Sequence, residues 1–154
     1  MIHAAVFTLL CFPLFVGPSD QKLEDHIREA VFRYMFEHEA TQQMAKSFFI
    51  GFGPVGEGED PGDEFLKRFK NHKPVVKKLS QSTFSKDGMV IDKETGAPGI
   101  RFSAREVTWV SDNEALVEAG YFVAGLFAGG CEYRVVLENE KWIVAGCAGK
   151  HWVS

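Results

Sequence analysis

Tyr133-Arg134-Val135-Val136-Leu137-Glu138-Asn139-Glu140-Lys141-Trp142-Ile143-Val144 is the stretch from which the fold can be read. Two runs of β-branched, aliphatic and aromatic residues flank Asn139-Glu140, so the segment predicts an antiparallel hairpin. The same composition recurs upstream. Val75 to Phe84, Ile100 to Val110, Ala115 to Leu126, Cys131 to Glu138 and Trp142 to Val153 read as strands, and Met89 to Ile91 as a further short one. Their connections include Ser111-Asp112-Asn113, Gly129-Gly130 and Asn139-Glu140, and links this short demand antiparallel neighbours. The expectation is a curved antiparallel sheet of five to six strands.

The curvature comes from a change of phase. Ile100 and Phe102 place apolar side chains on even positions, whereas Val107 and Trp109 place them on odd ones. Strict alternation cannot do this without an extra residue, so a β-bulge is predicted between Ser103 and Glu106. In the next strand Ala115, Val117, Ala119, Tyr121 and Val123 share one face.

Ahead of the sheet, Leu23, Ile27, Ala30, Val31, Tyr34, Met35 and His38 follow helical spacing over Lys22 to Ala40. Ser19 or Asp20 can cap this helix. Glu24 with Arg28 and Glu29 with Arg33 form i,i+4 pairs on its wet side. Phe32 and Phe36 widen the apolar stripe, which calls for a broad partner such as a sheet. Ala45 to Phe52 reads as a strand or the end of a helical turn, and Gly53 to Gly62 as a loop. A shorter helix follows, with Asp60 as N-cap, Pro61 in the first position, Phe65, Leu66 and Phe69 on its buried edge, and Pro74 preventing continuation. The fold class is α+β: the sheet wrapped on one long N-terminal helix, with a short second helix.

This order of elements, closing in the Tyr133 to Val144 hairpin, resembles the NTF2-like superfamily of cone-shaped domains, of the SnoaL and ketosteroid-isomerase type. The resemblance covers most of residues 22–154. It implies a pocket inside a cone and homodimers paired through the open sheet. The superfamily includes isomerases, dehydratases, cyclases and non-catalytic binding domains, so the role must come from the site. No acid–base pair maps onto this chain, and no catalytic residue is assigned.

At the other end of the chain, residues 1–19 contain no Asp, Glu, Lys or Arg, and Ala4 to Val16 form an apolar run of 13 residues. That is too short to span a bilayer and matches the apolar region of an export signal. Residues 1–19 are read as a cleaved leader, residues 20–154 as one domain, and the destination as secreted or periplasmic. Cys131 and Cys147 then remain. A two-residue Asn139-Glu140 turn puts them on opposite faces, whereas a three-residue loop at 138–140 sets them opposite each other; free, buried thiols are the expectation. The net charge of −4 argues against nucleic-acid binding.

Sequence motifs exclude much chemistry. His38-Glu39-Ala40-Thr41-Gln42 starts like a zinc helix, but Gln42 replaces the second ligand, so no metal is expected. There is no nucleophile elbow and no phosphate loop, and Glu57, Glu59 and Asp60 would repel phosphate; no cofactor is expected. The cations Lys67, Arg68, Lys70, Lys73, Lys77 and Lys78 read as a helix end and a guarded edge strand rather than an anion patch. A binding pocket is placed at Tyr34, Trp109, Tyr121, Tyr133 and His151, for a small apolar or amphipathic molecule or a protein partner. The alternative is a cofactor-independent isomerase, dehydratase or cyclase using His151, Tyr121 or Glu118 for proton transfer. Glu118 shares a face with Leu116 and Phe122 and should point outward.

Overall fold

The computed structural model describes residues 18–38, 45–125, 127–149 and 151–153. The leader reading, apart from residues 18 and 19, lies outside the described residues, as do the predicted helix end at Ala40 and residues 39–42 of the zinc-like motif. Helix α1 runs over Pro18–His38. Ile27, Val31, Phe32, Met35 and Phe36 are completely buried along one stripe. Both i,i+4 pairs form, Glu24–Arg28 at 3.1 Å and Glu29–Arg33 at 2.8 Å. Arg28 departs from its expected place on the wet side: it is buried, its guanidinium 4.9 Å from the Phe52 ring centroid. The long alkyl stem covers the aromatic surface while the charged head still reaches Glu24.

The strands are β1 Ser47–Phe52, β2 Val75–Lys78, β3 Ser82–Phe84, β4 Val90–Asp92, β5 Gly99–Ser111, β6 Glu114–Ala124, β7 Phe127–Glu138, β8 Lys141–Cys147 and β9 Trp152–Val153. Seven of them make one sheet in the order β2-β1-β5-β6-β7-β8, with β9 also on β7. This corrects the all-antiparallel expectation: β1 runs parallel to both β2 and β5, and within this sheet the antiparallel pairs are those among β5 to β9. The connections into β2 and β5 are long crossovers, and long crossovers permit parallel neighbours. The first carries helix α2, Asp63–Leu66, continued by a 3-10 turn at Lys67–Phe69. The second carries the β3–β4 hairpin.

Other local expectations also change: Trp142 to Val153 is not one strand, since β8 ends at Cys147 and Trp152–Val153 pair again as β9. Val75 to Phe84 is not one strand, because a 3-10 turn at Leu79–Gln81 hands the chain from β2 to β3. Asp60 does not cap α2; Gly62 stands at that position, and Asp60 instead accepts the backbone N–H and hydroxyl of Ser80 at 2.8 and 2.6 Å. Gly129-Gly130 is no turn but lies inside β7. A Cβ on Gly129 would come within 3.0 Å of the Tyr121 ring, and one on Gly130 within 2.8 Å of the Trp152 indole. The two glycines admit an aromatic ring on each face of the strand.

The bulge in β5 forms as predicted: Ala104 pairs with Ala119 but Val107 with Val117, leaving one extra residue between them. The predicted inner face of β6 also forms, with Ala115, Val117, Ala119 and Tyr121 all buried. Around α1 the core is dense in aromatics. Phe36, Phe48 and Phe102 meet with centroids 4.9 to 5.1 Å apart, and Phe52 meets Phe65 at 5.0 Å. A second, smaller cluster of Phe49, Leu79 and Val90, joined by Phe122, lies on the outer side of the sheet.

The cysteines close a disulfide, with Cα atoms 5.9 Å apart. This overturns the expectation of free thiols. The turn is the two-residue one, with Asn139 and Glu140 at φ of 48° and 63° and Glu138 opposite Lys141. A second bulge then intervenes. Val135 pairs with Val144 but Arg134 with Gly146, so Ala145 is extra and Cys147 is returned to the face of Cys131.

Candidate functional site

A groove of about 630 Å³ runs between α1 and the β7–β8 hairpin. Leu23, His26, Ala30 and Arg33 recur at steps of three and four residues, and thus line one flank of the helix. Leu137 and Trp142 are cross-strand partners and form the facing wall. The tight turn at Asn139-Glu140 keeps Glu140 and Lys141 at the rim. Leu23 is 44% exposed and Leu137 38%, so large apolar side chains stand open to solvent here. Trp109 backs the wall, its ring edge-on to Trp142 at 5.6 Å.

The helix side of the rim is electrostatically fixed. Glu29 accepts from Arg33 and from Arg68, the latter at 2.8 Å. Burial alone would raise its carboxyl, but the hydrogen bonds from Arg68 and Arg33 outweigh burial and hold it below the usual carboxylate range. Arg68 also lies 3.2 Å from the His26 ring nitrogen. The groove is thus apolar at its base and charged at its margin, which suits an amphipathic ligand.

The five residues expected to line a pocket are distributed differently. Tyr34 is half-buried, stacked on His38 at 4.2 Å and edge-on to Tyr133 at 5.6 Å. Tyr133 belongs to the packed core. Tyr121 is also a core residue, tilted against Phe127 at 6.2 Å. Trp109 pairs with Ala115, six residues along β6 from Tyr121, so the two aromatics stand roughly 20 Å apart at the usual strand rise. His151 is exposed just before β9. The structure therefore brings Tyr34 to Tyr133 and sets Trp109 beside the groove, with Tyr121 at the far end of the sheet.

Leu23, Ala30, Leu137 and Trp142 were missed as wall residues. Their signal was present in the helical spacing of the first two and in the hairpin that opposes the last two. Glu118 points outward as predicted, paired with Arg105 at 3.1 Å and half exposed. Among the cations of residues 67–78, Lys67 pairs with Glu64, Arg68 with Glu29, Lys77 with Asp92 and Lys78 with Asp63. Those partners support the structural reading of that cluster.

Among the described residues, no group of three His, Cys, Asp or Glu could hold a metal ion, and no helix is long and apolar enough to cross a membrane. Compared with known proteins, the chain matches no family model, no curated protein and no solved structure.

Proposed function

We propose that this protein is an exported, non-catalytic binding domain of the NTF2-like cone type that takes an amphipathic or apolar molecule in the groove between α1 and the β7–β8 hairpin. One observation carries the reading: Leu23, Ala30, Leu137 and Trp142 converge on an open, apolar-based groove rimmed by charge. The long helix laid on a bulged sheet supports the architecture. Export is supported by the apolar run Ala4 to Val16 and by a disulfide, a bond that persists in oxidising compartments. The rival proton-transfer reading lacks a common site, since Glu118 lies on the outer face and Tyr121 in the core.

Titration with a medium-chain fatty acid below its micellar concentration, read by tryptophan emission, tests the groove. A saturable blue shift is expected, weakened about tenfold in Leu137→Lys by the loss of one apolar contact. An unchanged spectrum, or equal binding by the variant, would remove this reading.

A homodimer through the open sheet is the second part of the proposal. Val110, Leu116, Val136 and Ile143 occupy β5 to β8 on the face away from α1, with Val110 55% and Ile143 40% exposed. Sedimentation is expected to give a dimer that Ile143→Lys converts to a monomer. A monomeric parent protein would refute it.

A further inference from the structure

Five of the six arginines carry an ion pair: Arg28 with Glu24, Arg33 and Arg68 with Glu29, Arg105 with Glu118, and Arg134 with Glu114. Arg101 is the exception among the described residues, although it is partly buried. Its guanidinium is held only by neutral oxygens: Nε donates to Ser82 Oγ at 2.8 Å, Nη1 to Gly56 O at 3.0 Å and Nη2 to Ser82 O at 3.3 Å. The Phe84 ring covers one side, 4.1 Å from the guanidinium carbon. A charge taken partly out of water without a counter-ion is costly, and a bound anion relieves that cost.

Arg101 lines a cleft of about 590 Å³ bounded by the Gly56–Asp60 loop, the Leu79–Ser82 turn and Lys93. Lys93 is likewise fixed by a neutral oxygen, its ammonium donating to Ser80 O at 2.6 Å. Two cations are thus held by carbonyls and a hydroxyl of residues 80–82, with Gly56 O as one further acceptor of Arg101. Glu57 and Glu59 also line the cleft, neither in an ion pair among the described residues. Asp60 also faces the cleft, but both its oxygens are taken by Ser80. The cleft is therefore lined both by two cations held on neutral oxygens and by two carboxylates that have no ion pair among the described residues.

We propose that this cleft binds a small zwitterion, its carboxylate on Arg101 and Lys93 and its cationic group toward Glu57 and Glu59. The guanidinium fork still has donors to offer, and a planar carboxylate is the group that fits such a fork. A phosphate would bring more negative charge toward the two glutamates. Burial pushes the Arg101 guanidinium down from the ordinary arginine range, which agrees with a charge awaiting a partner.

Titration of the intact protein, read by NMR at the Arg101 Nε–H resonance, tests the proposal with glycylglycine, acetate and inorganic phosphate. Glycylglycine is expected to shift the resonance saturably, acetate only at about tenfold higher concentration, and phosphate not at all. Lys93→Met, a change at an exposed side chain, should weaken glycylglycine about tenfold, the loss of one charge-assisted contact. Glu57→Gln with Glu59→Gln should bring glycylglycine to the level of acetate. A resonance indifferent to glycylglycine and acetate, phosphate as effective as glycylglycine, or unchanged affinity in Lys93→Met would each overturn the proposal.

Discussion

The two sides of the sheet are made by alternating residues of the same strands, yet they cohere by different means. Toward α1, the contacts are nearly all carbon: Phe36, Phe48 and Phe102 form the centre, and Ala104, Ala115, Val117 and Ala119 let the helix approach closely. Away from α1, the β3–β4 hairpin and the loop after β1 are fastened mainly by polar links. Ser103 Oγ donates to Glu57 O at 3.2 Å, Ser47 Oγ to Asp92 at 3.3 Å, and Lys77 reaches Asp92 at 2.8 Å. The buried apolar cluster beneath them among the described residues is small: Phe49, Leu79 and Val90, with Phe122 packed against them. Apolar burial therefore sets the stability of one side, and directional contacts set the placement of loops on the other. The two candidate sites divide the same way, the groove opening beside α1 and the cleft lying among the polar fastenings.

Phe102→Ala should break the comparison most sharply, with a loss of about 3–5 kcal/mol for a large cavity at the aromatic centre; urea unfolding measures it. Cys147→Ser comes next. It opens a loop with a sequence separation of 16 and is expected to cost about 3 kcal/mol by the same assay.

On the polar side, Lys77→Met should cost about 2 kcal/mol at neutral pH by leaving the buried Asp92 carboxylate without its ammonium. Burial by itself would raise Asp92. The Lys77 hydrogen bond and the backbone N–H groups of Glu94 and Thr95 outweigh it and hold the group below the usual range. A depressed folded value means that the stabilisation is complete above the ordinary carboxylate pKa of about 4 and is lost as pH falls through the lower folded value. The gap between parent and Lys77→Met should therefore close in acid, and a gap constant down to pH 2 would contradict the assignment. The smallest effect belongs to the groove: Leu137→Lys should shift unfolding by no more than about 0.5 kcal/mol while weakening ligand binding.

Much of the aromatic side was legible in the chain. The stripe from Ile27 to Met35, the alternation from Ala115 to Tyr121 and the phase change near Ala104 are local patterns, and each corresponds to an element of the structure. The polar side was less so. Nothing local in Ser47 to Phe52 reveals two parallel neighbours, because that choice depends on how long connections fold back. The break at Leu79–Gln81 depends on a change of strand partner, which periodicity does not carry. The site was read in part: Trp109 stands beside the groove, but Tyr121 and Tyr133 were drawn inward by core packing, where a phenol also provides bulk. Leu137 and Trp142 gained their role from the hairpin register, a pairing visible in sequence only once the turn length is known.

The extra residue Ala145 has a consequence for variation in this chain. Deleting it would straighten β8, rotate the sulfur of position 147 to the opposite side of the ribbon, and strand it from Cys131. Such a deletion mutant should release two more equivalents of thiol to Ellman's reagent than the parent protein in denaturant without prior reduction, whereas substitution of Ala145 by serine should release no more than the parent. A length change at a single alanine would thus undo a covalent cross-link whose own cysteines are untouched.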